Sequence, residues 1–599
     1  GPAWEAYAAG MEKAQRGNHL SIASVAGVNG GMALIRRGSY REAEILFRRT
    51  GSLLSGLEAG YSRAYGLINL GLGYRALGAK LPHRRTEMQS RAFESFRQAL
   101  VTASKCRDHR TASYAFGYLG ALYEEEKRYE EALDLTRRAM FAAQQASAPE
   151  SLYRWHWQAG RIFERQNRKD EAIGAFRNAL SSLQTIREEM SGCYANPEAS
   201  FRKVAGSVCF DLVDLLLRKA SAMDDPVAAG SCLAEARETV ELLKAYELRD
   251  YFRDDCVDAF TTPAVGLDEI AKTAVVIYPI LLKHRMEILV TLPSGLKQVT
   301  LQIDEASVKQ EVMALRKLLV KRTTREFLPH AQRIYRWLIG PLEPDLDALD
   351  VDTLVFVPDG PLRMIPMASL HDGKSFLIEK FALAITPGLD LTDPRPIERE
   401  GVEVLALGLT RPVQGFGSLP YVTDEMRALD RMFPCTRLVN EAFRLPNLEQ
   451  ALKERPFNIV HVASHGQFGG ELRDTFLLAY DDRVTMDRLS RLIGVFRFRD
   501  KPLDLLTLSA CETAVGDERA ALGLAGIAVK AGARSALASL WHINDQATSI
   551  LISDFYRQVG RLSNTRAMAL RHAQLKLLHD PRYEHPGYWS PFLLINNWL

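Results

Sequence analysis

Two rhythms of apolar and polar residues divide this chain. As far as Phe260 the apolar positions recur every three or four residues, which predicts helices with one buried face. After Thr262 short β-branched runs take over: "TAVVIYPILL", "RMEILVTLP" and "KQVTLQI", then, past the long helical stretch "SVKQEVMALRKLLVKR", "DTLVFVPDG", "FALAITPG", "VEVLALGL", "FNIVHVASHG", "LDLLTLSAC" and "SALASLW". Runs that are apolar on both faces and alternate with helices predict a mostly parallel sheet covered by helices. In such sheets chemistry gathers at the carboxyl ends of the strands.

The helical half repeats itself. A glycine followed three residues later by an aromatic residue or leucine occurs at Gly31/Leu34, Gly71/Tyr74, Gly120/Tyr123 and Gly160/Phe163, at intervals of 40, 49 and 40 residues. A second signature follows each in step: Ala43/Phe47, Ala92/Phe96, Ala132/Thr136 and Ala172/Phe176. The longer interval carries an insertion near "KLPHRRTEM". Each unit reads as helix, turn, helix, and the small residues let the two helices approach closely. One such pair cannot bury its apolar face alone, so pairs stack into a solenoid. The stretch from Leu20 to Glu188 resembles tetratricopeptide repeats, slightly lengthened; a helical bundle with chance spacing is the alternative. The resemblance implies a protein or peptide partner on the concave face. From Phe201 the pattern stays helical without the repeat, and "RDYFRDDCVDAF" reads as a solvated helix end. These rhythms place helical repeats in residues 1–195, a helical connector capping them in 196–262, an α/β segment in 263–329 and a larger α/β domain in 330–599.

Composition narrows the function without identifying it. A chain of 599 residues is too long for one core, so two to four domains are expected. It is 47% hydrophobic and 25% charged, as a globular protein is. The net charge of +3 is spread along the chain and gives no footprint for nucleic acid or an anionic membrane. The longest apolar run, "AVVIYPILL", is too short to span a bilayer. Seven scattered cysteines without a C-x-x-C argue against a disulfide framework or a zinc site, and no cofactor or metal is expected. Gly1-Pro2 reads as a protease-cleavage scar, so the native start is hidden. The chain is expected in the cytoplasm, with export left open, and its oligomeric state is not legible.

His461 and His465 stand four residues apart in "FNIVHVASHGQFGG". On a helix they would share a face and one metal. A β-branched run ending in glycine is a strand, in which four residues span roughly 13 Å at ~3.3 Å per residue. Zinc–nitrogen bonds of about 2.0–2.1 Å cannot bridge that gap. His461 is therefore expected inside the sheet. His465 is expected at the strand end, where the chain turns through Gly466. Another strand, "LDLLTLS", ends in Ala510-Cys511. A cysteine and a histidine at strand ends are the arrangement of nucleophile and base. The imidazole helps form the thiolate and later protonates the leaving amine. The backbone N–H groups of Gly466 and Cys511 are then candidates for stabilising the oxyanion. On spacing alone, a buried structural cysteine near an unrelated histidine is an equal reading.

The words "HVASHGQF", "LLTLSACETAVGDERAALGLAGIAVKAGARSALASLW", "FYRQVGRLSNTRAMALRHAQLKL", "HPGYWSPFLL" and, earlier, "LVFVPDGPLRMIPMASLHDGKSFLIEKFALAITPG" resemble the CHAT family of caspase-like peptidases over about residues 330 to 599. An N-terminal tetratricopeptide array is common in that family. The resemblance implies an α-helical solenoid followed by an α/β caspase-like domain with a mostly parallel sheet flanked by helices. It implies a cysteine endopeptidase acting on a protein substrate, with His465 as base and Cys511 as nucleophile, neither of them substituted. The strands and helix from Ala264 to Lys321 would then be a degenerate caspase-like half. In the related separase peptidases, a Leu-Trp word followed four residues after the Trp by Asp places that acid in a pocket for a basic residue. The matching positions are Leu540-Trp541 and Asp545, with Trp541 packing on the aliphatic stem. Asp545 equally fits an N-cap of the helix "QATSILISDFYRQV". The alternative function, from another class, is a non-catalytic scaffold in which both parts only bind.

Overall fold

The computed structural model describes residues 2–191, 201–252, 274–393, 401–470, 474–494, 503–513, 517–561 and 564–599; for 2, 187–191, 201–204, 487, 490, 493–494 and 510–513 it describes the backbone alone. The chain divides into two compact units, Gly1–Leu215 and Leu216–Leu599.

The first unit is an array of helices: α1 (Pro2–Arg16), α2 (Leu20–Arg37), α3 (Tyr40–Ser55), α4 (Tyr61–Lys80), α5 (Arg85–Lys105), α6 (His109–Glu125), α7 (Tyr129–Gln145), α8 (Pro149–Arg165) and α9 (Lys169–Ser191). They pack as neighbouring pairs, α2 on α3, α4 on α5, α6 on α7 and α8 on α9. The two repeating signatures turn out to be halves of one contact. A Cβ on Gly31 would stand 2.1 Å from the Phe47 ring, one on Gly71 2.4 Å from Phe96, and one on Gly160 2.3 Å from Phe176. Each glycine is the hollow that a phenylalanine of the paired helix fills. At Gly120 the partner position holds Thr136, whose hydroxyl accepts a hydrogen bond from Gln158 Nε2 at 2.8 Å.

The boundary between the units falls within α10 (Phe201–Ala220), and α11 (Pro226–Phe252) packs inside the second unit. Its buried charges all find partners there. Lys244 Nζ lies 2.5 Å from Asp359, Glu247 pairs with Arg363, and Glu241 accepts hydrogen bonds from Tyr278 Oη at 2.7 Å and the Leu389 amide at 2.9 Å. Helix α11 is therefore built into the α/β unit and does not end in solvent: Tyr251 and Phe252 are buried. The rest of the expected solvated end, 253–260, lies outside the described residues.

Thirteen strands of the described residues form one sheet: β1 (Val275–Leu281), β2 (Met286–Leu292), β3 (Gly295–Leu301), β4 (Thr353–Phe356), β5 (Ala382–Ile385), β6 (Val404–Gly408), β7 (Cys435–Val439), β8 (Ile459–Phe468), β9 (Phe476–Leu478), β10 (Arg483–Thr485), β11 (Leu503–Thr513), β12 (Ala533–Ser539) and β13 (Phe592–Asn596). The order is β10-β9-β8-β11-β12-β13-β5-β4-β1-β2-β3, with β6 and β7 branching from the first half of β8. Most pairings are parallel, but they fall into two blocks. Strands β7, β6, β8, β11 and β12 run one way; β13, β5, β4 and β1 run the other, because β13 meets β12 antiparallel and β5 parallel. Strands β1 to β3, expected as part of a separate half, continue this same sheet through the pairing of β1 with β4. The sequence pattern missed β7, β9, β10 and β13, which are short or mix polar with apolar residues.

Candidate active site

Strands β8 and β11 lie side by side and parallel in the middle of one block. His461 sits opposite Thr507 and Val462 opposite Leu508. The register then shifts, so that His465 faces Ala510 and Gly466 faces Cys511. Between those pairings β8 spends one residue more than β11. A shift of this kind re-aims the side chains that follow it. Both strands run past the positions where the sequence suggested they end, to Phe468 and Thr513. Gly466 makes no turn. It and Gln467 are paired on their other side with Leu477 and Phe476 of β9, a strand not anticipated, so the ladder continues through the glycine.

His465 is half-buried. Its ring packs 5.2 Å from that of Phe416, and its Nε2 lies 2.9 Å from the carbonyl oxygen of Gly417. A carbonyl only accepts, so Nε2 is the donor of this hydrogen bond. The segment that supplies Phe416 and Gly417 is folded by a two-residue turn between Val413 and Phe416, with φ of +50° at Gln414 and +85° at Gly415. Both central residues are left-handed, as a tight hairpin turn demands. Sequence reasoning missed this segment; its one local signal is the Gln-Gly pair, less distinctive than Asn-Gly.

His461 is a satisfied sheet histidine. Its Nε2 lies 3.1 Å from Glu425 Oε2 and its Nδ1 3.3 Å from Tyr556 Oη, and all three side chains are buried. Tyr556 in turn donates to Thr507 Oγ1 at 2.7 Å, tying the strand of His465 to the strand of Cys511. Burial raises the Tyr556 pKa well above the ordinary tyrosine value, so the hydroxyl keeps its proton.

Asp545 does not cap the helix Asp545–Val559; Asn544 does, accepting from the Ala547 amide at 3.1 Å. The Asp545 carboxylate accepts instead from the Tyr421 amide at 2.9 Å. Burial raises its pKa, and so does the Glu425 charge; the Tyr421 amide and the charge of His465 pull it down. Asp545 and His465 are thus electrostatic neighbours. Trp541 is placed elsewhere: its indole is buried beneath the Arg316 guanidinium, 5.4 Å away, and donates to the Gly587 carbonyl at 3.3 Å. That packing takes it out of the expected pocket wall, while His542 is exposed. Among the described residues no group of three His, Cys, Asp or Glu is arranged to hold a metal ion, and no helix is long and apolar enough to cross a membrane.

Residues 328–597 match the family model described as CHAT domain. No curated protein matches the chain. Among solved structures it is similar to the Saccharomyces cerevisiae separase–securin complex, at 10% identity and a TM-score of 0.44, over 96% of this chain and 50% of that one. The chain thus spans half the length of that relative. A Podosopora anserina protein described by its nearly identical TPR-like repeats is similar at 15% identity and a TM-score of 0.26, over 37% of this chain and 94% of that one. BtubC (BKLC) from P. vanneervenii is similar at 13% identity and a TM-score of 0.32, over 40% and 91%.

Proposed function

We propose that this chain, which carries a CHAT domain over residues 328–597, is a cysteine endopeptidase with His465 and Cys511 as its catalytic dyad. The observation that carries the reading is the parallel pairing that sets His465 and Gly466 opposite Ala510 and Cys511. Paired strands lie about 4.8 Å apart, so the backbones of His465 and Cys511 are near neighbours, and that closeness supports the dyad. With Nε2–H bound to the Gly417 carbonyl, Nδ1 of His465 takes the thiol proton. The thiolate attacks the scissile carbonyl carbon, and the oxyanion is stabilised by the N–H groups of Gly466 and Cys511. The amine leaves with the proton from His465; a water deprotonated at the same nitrogen then hydrolyses the thioester. Asp545 is the acid that receives a basic side chain before the scissile bond, and the helical array docks a protein or peptide partner or the substrate itself.

Cys511→Ala or His465→Ala should lower cleavage by about 10⁴-fold or more with the fold intact. A Cys511→Ala chain that still cleaves the same bond refutes the dyad. Failure of Cys511 to take a peptidyl electrophile under any activating condition, read by intact mass, favours the non-catalytic scaffold. On a fluorogenic panel, preference for Arg or Lys should strengthen as pH rises through the raised Asp545 pKa, and should vanish in Asp545→Asn. Preference for an apolar or acidic residue removes Asp545 from the pocket.

A further inference from the structure

The last turn of α11 reaches the two segments that leave the candidate catalytic strands. Tyr251 Oη donates to the Gly469 carbonyl at 2.8 Å, one residue beyond β8. The Gly469 amide donates to Thr475 Oγ1 at 3.0 Å, and Thr475 Oγ1 lies 3.0 Å from Tyr251 Oη. The three groups close a ring in which Thr475 donates back to Tyr251. The segment after β11 meets the same tyrosine. A Cβ on Gly523 would stand 2.3 Å from Tyr251 Cζ, and one on Gly526 2.5 Å from Leu248. Arg519 joins the two sides, donating to the Gly470 carbonyl at 3.1 Å and pairing with Asp250 at 3.3 Å. A Cβ on Gly470 would stand 2.1 Å from Asp517 Oδ2. Upstream, the buried partners of Glu241, Lys244 and Glu247 fix α11 against the sheet.

Resting on the endopeptidase reading, we propose that Tyr251 is a positioning residue: it holds the ends of β8 and β11 at the spacing the dyad requires. It touches no reacting atom and acts through Gly469 and Gly523. A displacement of α11 then moves both segments together.

Tyr251→Phe in the full chain keeps the ring and removes the hydroxyl. Amide exchange should quicken about tenfold in both 459–470 and 503–513, the effect of one lost buried hydrogen bond. On a cleavable peptide kcat should fall about tenfold with KM unchanged. Gly523→Ala, which displaces the ring while leaving the hydroxyl, should give the same paired signature. Unchanged exchange in 503–513 together with unchanged kcat in both variants overturns the proposal, and melting temperature separates it from general loosening. The two readings fail separately. A wild-type chain that neither cleaves nor labels at Cys511 removes the endopeptidase, while exchange still decides whether Tyr251 couples the strands.

Discussion

The helical array carries exposed ion pairs between near neighbours, and the α/β unit carries, besides exposed pairs, buried ones between distant residues. In the array, Arg97 pairs with Glu94, Arg128 with Glu131 and Arg168 with Glu171, each three residues apart and exposed. In the α/β unit, Lys244–Asp359 and Arg363–Glu247 are buried and join residues 115 and 116 positions apart. Exposed pairs gain little because water screens them. A buried pair stands on a large desolvation cost, so losing one partner strands the other. The array is therefore held by neighbour-to-neighbour packing, glycine against phenylalanine, while the α/β unit is held by contacts that exist only once distant segments meet.

The largest expected effect tests the buried side of this contrast. Asp359→Asn leaves Lys244 buried without its carboxylate, and should cost the α/β unit about 3–5 kcal/mol in denaturant unfolding followed by exchange of β1 and β4. A loss no greater than that of an exposed pair would erase the distinction. Next comes the array's own bond: Gly71→Ala drives a methyl into Phe96 and should cost about 1–3 kcal/mol. That loss should be confined to the helices around α4 and α5; spreading into the sheet would break the neighbour-to-neighbour account.

One carboxylate from each unit should contribute to stability with opposite pH slopes. Burial, with help from the Asp390 charge, raises the Glu241 pKa above its usual 4.5. The folded state holds that proton more tightly, so the stability from Glu241 is complete below the ordinary value and is lost as pH rises through the raised one. Glu241→Gln should therefore gain in melting temperature relative to wild type as pH rises, and the gain should vanish on acidification. Glu131 is the reverse: the Arg128 hydrogen bond lowers its pKa, so its contribution is present above 4.5 and lost as pH falls through the lowered value. Glu131→Gln should converge with wild type in acid. Parallel slopes would sink the comparison. The smallest effect is Arg128→Ala, which should lower the unfolding midpoint only slightly, and only above the lowered Glu131 pKa.

Part of the site was legible because its words are local. The run from Ile459 to His465 reads as a strand from β-branched residues alone, and Cys511 stands out after a second such run. Glycine at Gly466 signalled a turn by the usual rule, and the rule failed because β9, only three residues long, supplies a partner on the far side. Asn544 and Asp545 are both good caps, and only the backbone geometry assigned the cap to Asn544, leaving the Asp545 carboxylate to accept from the Tyr421 amide. Trp541, a residue type more often found in a core than in a pocket wall, is covered by Arg316, which lies far away in sequence.

Local energetics explain what the sequence by itself determined: helical period and the two recurring glycine and alanine signatures in the array, β-branched runs in the α/β unit. These depend on neighbours a few turns away. Tertiary structure alone decided that the buried faces of α11 belong to the sheet, that the Gly417 carbonyl accepts from His465 Nε2, and that Tyr251 meets Gly469 and Gly523. Glu241, Lys244 and Glu247 lie in a stretch whose sequence pattern shows only a helical period. They become interior only because their counter-groups arrive from other segments, between 37 and 148 residues away, and a buried polar group is stable only when that partner is in place.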